Sequence, residues 1–151
     1  MKLTTLCYIK DQDKVLMLHR TKKQEDPNQS KWIGIGGKLE HNESPLECIK
    51  REIYEETGLT TDDLKLRGII TFILPKWEDE ISFLYETNKY SGEIKECDEG
   101  ELAWVKINDV TKLNLWEGDY HFIDTLLNSD KFVEIKLIYD KDDNLINVVK
   151  Y

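Results

Sequence analysis

The feature that most constrains this chain is the segment from Ser44 to Gly58, which marks a helix at both ends and thereby fixes which residues share each of its faces. Ser44 is a good N-cap, Pro45 suits the first helical position, and Glu47 three residues after the cap completes a capping box. Gly58 stands where a helix C-terminus favours the left-handed conformation. Between these ends Glu52, Glu55 and Glu56 fall at i, i+3 and i+4, so three carboxylates emerge from one face. Leu46, Ile49 and Ile53 share another face, which the spacing predicts as the anchor to the core. Like charges at i and i+4 oppose helix formation. Arg51, in reach of Glu47 or Glu55, offers one compensating charge, and bound cations would supply the rest.

Strands are expected around this helix. Leu3 to Ile9 and Val15 to His19 are apolar runs on either side of a polar turn, Lys10 to Lys14, and read as a β-hairpin. The polar stretch Thr21 to Lys31 reads as a loop, and Trp32 to Gly37 as a brief strand running into glycines. Leu66 to Leu74, Ile81 to Thr87 and Leu102 to Val105 are further strands, and Phe132 to Tyr139 with Leu145 to Val149 a closing hairpin around Asp142-Asp143-Asn144. Asp119 to Leu127 carries Phe122, Ile123, Leu126 and Leu127 along one side and is predicted as a second helix. Many strands with two helices point to an α+β fold, a mixed sheet with flanking helices, in a single domain over residues 1–151.

Composition narrows the partners. Thirty Asp and Glu outweigh 21 Lys and Arg, for a formal charge of -9, and such a surface repels a nucleic-acid polymer. A small phosphorylated ligand is still compatible, because divalent cations in an acidic pocket reverse the local potential. Cys7, Cys48 and Cys97 are odd in number and lack CxxC spacing, which argues against a disulfide framework or a zinc site. No apolar run approaches membrane-spanning length and the N-terminal segment has no signal-like core, so a cytoplasmic protein without a membrane partner is expected. His19, His41 and His121 have no metal-like partner at helical or hairpin spacing and read as non-ligands. Trp32 and Trp104 read as packed residues, and Trp77 as a pocket lid or a loop anchor.

The three helix glutamates directly follow a glycine-rich turn that also carries Glu43. Backbone freed by glycine approaches phosphate oxygens and metals closely, and carboxylates are the hard ligands that magnesium takes while sharing its sphere with substrate phosphates. The chemistry of the segment is that of a metal-phosphate site.

Gly37, five residues, Glu43, seven residues, and then Arg51-Glu52-Ile53-Tyr54-Glu55-Glu56-Thr57-Gly58-Leu59 resembles the Nudix box without a departure. The resemblance implies the Nudix fold, an α/β/α sandwich, and hydrolysis of a nucleoside diphosphate linked to another group. It further implies magnesium, for which manganese can substitute, held by Glu52, Glu55, Glu56 and the carbonyl of Gly36, with Arg51 orienting a glutamate. The general base is Glu52, Glu43 or Glu99 beyond the box, and Glu99 is also a candidate metal ligand.

Lys31 to Lys38 is similar to the corresponding segment of the MutT branch, and Leu115-Trp116-Glu117-Gly118-Asp119-Tyr120 resembles the C-terminal half of oxidised-purine triphosphatases. That resemblance implies a small nucleotide substrate such as 8-oxo-dGTP and a monomer or homodimer. Trp116 would then stack on the base with Asp119 reading its edge. Thr5, Ile33 and Phe72 would line the pocket, and Lys38 would contact a phosphate. Three positions depart from the pattern: Gly118 replaces a second acid, Ile33 an asparagine, and Leu74 an aromatic. Other nucleoside diphosphate derivatives, such as ADP-ribose, nucleotide sugars, dinucleoside polyphosphates, pterin triphosphates or capped RNA, share the box, and a non-catalytic nucleotide sensor is the remaining alternative.

Overall fold

The computed structural model describes residues 1–22 and 25–151; of the expected loop from Thr21 to Lys31, positions 23 and 24 lie outside the described residues. Helix α1 (Pro45–Thr57) forms as its end signals require. The Ser44 side chain accepts from the Glu47 N–H, the Glu47 carboxylate accepts from the Ser44 N–H, and Gly58, at φ 80°, donates to the Tyr54 carbonyl. Its anchor differs from the expectation. Cys48, Ile49 and Ile53 are buried, whereas Leu46 is 41% exposed, because the helix meets the sheet only beyond its first turn. Glu47 is taken up by the cap, which leaves Arg51 to other partners.

Among the described residues nine strands make one mixed sheet: β1 (Lys2–Asp11), β2 (Lys14–Arg20), β3 (Trp32–Ile33), β4 (Ile35–Lys38), β5 (Lys65–Ile73), β6 (Glu80–Thr87), β7 (Gly100–Lys106), β8 (Val133–Tyr139) and β9 (Leu145–Lys150). Their order is β3-β2-β1-β6-β5-β8-β9, with β4 paired to β1 and β7 to β2. The β1–β6 and β5–β8 pairs are parallel and the others antiparallel.

The expected hairpin of β1 and β2 is short. They pair only from Ile9–Leu16 to Asp11–Lys14, after which β1 takes β4 along Thr4–Cys7 while β2 continues against β3 and β7. The sheet therefore forks.

Both faces of the sheet are covered, which is why β1 and β2 read as nearly continuous apolar runs. Alternate residues divide between the faces. Cys7, Ile9, Leu16 and Leu18 pack with Ile49 and Ile53 of α1. Tyr8, Val15 and Met17 join Val110, Trp116, Phe122, Ile123 and Leu126 on the other side. Each aliphatic side chain buried in this way stabilises the fold by about 1.5–3 kcal/mol.

The expected helix from Asp119 to Leu127 is interrupted. A 3₁₀ turn at Glu117–His121 ends at Phe122, whose φ is -132°, before helix α2 (Ile123–Asn128) begins. Tertiary contacts override the helical periodicity here: Tyr139 Oη accepts the Gly118 N–H at 2.7 Å, and the Asp119 side chain is drawn inward. The guanidinium of Arg67, 1% exposed, then fixes the end of α2 by donating to the carbonyls of Leu126, Ser129 and Lys131 and to Glu86. Cys7, Cys48 and Cys97 are buried free thiols, and among the described residues no helix is long and apolar enough to cross a membrane.

Candidate active site

A cleft of about 380 Å³ opens where the sheet forks. One end is polar and lies against α1, and the other is lined by aromatic and aliphatic side chains.

At the polar end stand Glu52 and Glu56 of α1, Thr5 of β1, Gly36, Gly37 and Lys38 of β4, and Arg20, Asp26 and Glu99 from the opposite prong. Gly37 lets Glu52 come close, since a Cβ there would lie 2.6 Å from the Glu52 carboxyl carbon and would displace it. Arg51 is the hub of the helix charges. It grips Glu43 through Nε and Nη2 at 2.6 and 2.9 Å, and reaches Glu52 at 2.8 Å and Glu55 at 3.1 Å through Nη1. The Arg51 contact holds the Glu43 carboxyl down at about 2. Neither Glu43 nor Glu55 lines the cleft, and the Glu55 side chain is 57% exposed. Of the three helix carboxylates, the fold thus brings Glu52 and Glu56 together with Glu99 and turns Glu55 toward solvent.

Charge is unevenly balanced at this end. Arg20 Nη1 lies 2.6 Å from Glu99, and Arg20 Nε holds Asp26 at 2.8 Å. Glu56 is buried, and among the described residues it has no cation beside it; its Oε2 accepts the Gly36 N–H at 3.2 Å, and the Glu99 carboxyl is its neighbour in the cleft. Burial, the Glu99 contact and the charge of Glu52 push the Glu56 carboxyl well above its ordinary range, and burial raises Glu52 as well. Neighbouring carboxyl groups in a buried site repel one another when both are ionised, and a proton or a cation relieves that repulsion. Among the described residues no three acidic, imidazole or thiol groups close into a pre-formed metal cage. The donors present are all hard oxygens, and they suit a cation such as magnesium that keeps waters and needs only one or two carboxylates.

The apolar end is built by Ile33, Phe72, Leu74, Trp77 and Trp116, with Asp119 and Glu80 among them. Trp116 is buried, stands edge-on to Tyr139 at 5.2 Å, and donates through Nε1 to Asn28 at 2.7 Å. Asp119 is 6% exposed, and desolvation raises its carboxyl to about 7, against the opposing pull of Lys31. Gly118 stands where the resembling pattern has an acid, and a Cβ there would lie 2.6 Å from both Leu137 Cδ1 and Tyr139 Oη, so those side chains would have to shift to admit one. A second, more open groove of about 610 Å³ runs along the outer side of Trp116 past Lys31, Asn114 and Tyr120, away from the α1 carboxylates.

The remaining aromatics and histidines have local roles. Trp32 stacks on His19 at 4.4 Å, Trp104 lies half-buried near Tyr90, and His41 and His121 are exposed. Trp77 is both lid and anchor: it lines the cleft and donates to Asp143. Sequence reasoning missed Arg20, Asp26, Lys2, Thr4, Glu80 and Ser82 as cleft residues. The signal for the last four was polar residues at two-residue spacing in otherwise apolar strands.

Known proteins share this arrangement. The model of the NUDIX domain matches residues 2–126. The chain is 30% identical over 148 residues to the "Uncharacterized Nudix hydrolase YvcI" of Bacillus subtilis, which covers 95% of this chain and 90% of that protein. It is 29% identical over 133 residues to the oxidized purine nucleoside triphosphate hydrolase of Danio rerio, with 87% and 83% covered. The crystal structure of the MutT protein from Bacillus halodurans superposes with a TM-score of 0.88 at 31% identity, over 99% of this chain and 97% of that one. With a family model spanning most of its length and a relative this similar over nearly all of it, the chain belongs to the Nudix hydrolases, enzymes that cleave pyrophosphate bonds.

Proposed function

We propose that this chain, a single domain over residues 1–151, is a magnesium-dependent nucleoside triphosphate pyrophosphohydrolase acting on oxidised purine nucleotides such as 8-oxo-dGTP. One observation carries the reading: a single cleft joins the carboxylates of α1 to an aromatic pocket holding Trp116, Phe72 and Asp119. The two curated relatives named for oxidized purine nucleoside triphosphates, from Danio rerio and Mus musculus, support the same substrate class.

Glu52, Glu56, Glu99 and the Gly36 carbonyl are the groups that would hold the divalent cation. When bound, such a cation neutralises the phosphate charge and stabilises the charge developing on the leaving pyrophosphate. Glu52, steadied by Arg51, takes a proton from water as that water attacks phosphorus; the P–O bond to pyrophosphate breaks, and the nucleoside monophosphate remains. Glu43 acts through Arg51 rather than on the substrate, since its carboxylate is engaged by that guanidinium outside the cleft. Lys38 and Arg20 face the phosphates, and Trp116 and Phe72 hold the base between apolar surfaces.

Steady-state hydrolysis of a nucleotide panel with magnesium tests this. Purine triphosphates carrying 8-oxo bases are expected to show the highest kcat/KM, giving monophosphate and pyrophosphate. Faster turnover of ADP-ribose or of dinucleoside polyphosphates would overturn the substrate assignment.

A further inference from the structure

Glu80 opens strand β6, and the sheet register places it between two cleft residues: its Cα partner is Lys2 on β1 and Phe72 on β5. The next rung on the same face is Thr4, Ser82 and Ile70, so a polar strip runs along the sheet beneath the aromatic end of the cleft. The start of β6 is held firmly. Asp79 accepts the Leu74 N–H at 2.9 Å, and its own carbonyl accepts the Lys2 N–H at 2.8 Å.

The Glu80 carboxylate is aimed by its neighbours. Thr4 Oγ1 donates to Oε2 at 2.7 Å, and Lys2 Nζ stands 3.3 Å from Oε1. A carboxylate offers about four lone-pair sites, so one partner on each oxygen leaves acceptor capacity on both. The other carboxylates lining the cleft divide by place. Glu52, Glu56, Glu99 and Asp26 sit at the phosphate end, and among the described residues only Glu80 joins Asp119 at the aromatic end. Position 118 is glycine, and a Cβ there would press on the Leu137 and Tyr139 side chains, so the pocket draws no second acid from it.

We infer that Glu80, oriented by Lys2 and Thr4, is the second acid of base recognition and selects a guanine-type edge. This rests on the proposed purine triphosphatase activity. A guanine-type edge sets one carbonyl acceptor beside two N–H donors, which matches an ammonium next to a carboxylate with free acceptor sites. An adenine-type edge turns an amino group toward the ammonium and sets a ring-nitrogen lone pair against the carboxylate, which then finds neither the ring N–H nor the 2-amino donor. Lys2 thus faces the base carbonyl, and Glu80 takes the ring N–H and the 2-amino group.

The test compares wild type, Glu80→Gln and Lys2→Met on 8-oxo-dGTP, dGTP, dITP and dATP, with thermal melts as the folding control. Glu80→Gln keeps the size of the side chain and the Thr4 contact while removing its charge. Its kcat/KM for the two guanine nucleotides is expected to fall roughly 10- to 100-fold, mainly through KM. The loss should be smaller for dITP, which lacks the 2-amino group, and smallest for dATP. Equal losses on all four nucleotides, or no loss, in a variant that melts like wild type would overturn the assignment of Glu80 while leaving the proposed activity intact. A wild type that leaves purine triphosphates untouched would overturn that activity and the assignment with it.

Discussion

Replacing Asp119 with Asn should make the protein more stable, and increasingly so as pH rises. Asp119 is 6% exposed, and burial lifts its carboxyl from 3.8 to about 7 in the folded state, with Lys31 opposing the rise. A carboxyl whose folded value is raised holds its proton in the native state while the unfolded chain releases it. Stability is therefore lost between the unfolded value of 3.8 and the folded value of about 7, and levels off above it. Between pH 5 and pH 8 the native group spans about two pH units of this window, and at about 1.36 kcal/mol per unit the wild type loses at most about 3 kcal/mol. Asn imitates the protonated acid at every pH and escapes that loss. Urea denaturation of both proteins at pH 5 and pH 8 measures the difference directly. For a chain of this size the same quantity corresponds to roughly 6–12 °C in Tm. Parallel pH dependence in the two proteins would refute the assignment of a buried, neutral carboxyl. Tyr8 and Tyr139, the other titratable groups coupled to Asp119, are pushed upward by burial and stay neutral throughout this range.

Two further outcomes concern the polar end of the cleft. Glu56→Gln should lower magnesium-dependent turnover about 100-fold or more, by removing a charge that would hold the divalent cation. The same variant should melt higher than wild type in chelator at neutral pH, because it deletes a buried carboxyl facing Glu99; a lower melting point would contradict that account. Gly37→Ala should displace Glu52, whose carboxyl carbon lies 2.6 Å from the added Cβ, and reduce kcat about 10- to 100-fold. Wild-type kcat in a folded Gly37→Ala protein would show that the position of Glu52 is not critical.

Residue order reveals whatever is decided locally. The helix from Pro45 to Thr57, its caps and its charged face arise from side chains within a few residues of one another. The apolar runs of β1 and β2 were equally plain, because both faces of each strand are buried. The fork was hidden, since the choice of β4 as partner for the first half of β1 is a tertiary pairing that no two-residue period announces. The break at Phe122 was hidden for a related reason, as the periodicity of Asp119 to Leu127 is helical and only Tyr139 reveals why the turn before it is held differently. Glu55 shared its helical spacing with Glu52 and Glu56, yet spacing defines a face only to within about a third of a turn. The packing of the helix leaves one carboxylate of the three, Glu55, exposed. Glu80 entered the cleft through parallel pairing with Lys2, a contact between distant parts of the chain.

The hold of Tyr139 on Gly118 also bears on how the molecule comes together. The carboxylate half of the cleft is complete in the chain by Glu99, whereas the wall carrying Trp116 and Asp119 is braced by β8, which comes after it in the chain and pairs in parallel with β5. Parallel pairing between distant segments closes slowly compared with local turns. On the proposed reading, a chain emerging from synthesis carries the groups that would cleave a phosphate bond before the wall around Trp116 and Asp119 is braced. The brace for that wall comes last in the chain, from a strand beyond residue 126, where the match to the family model ends.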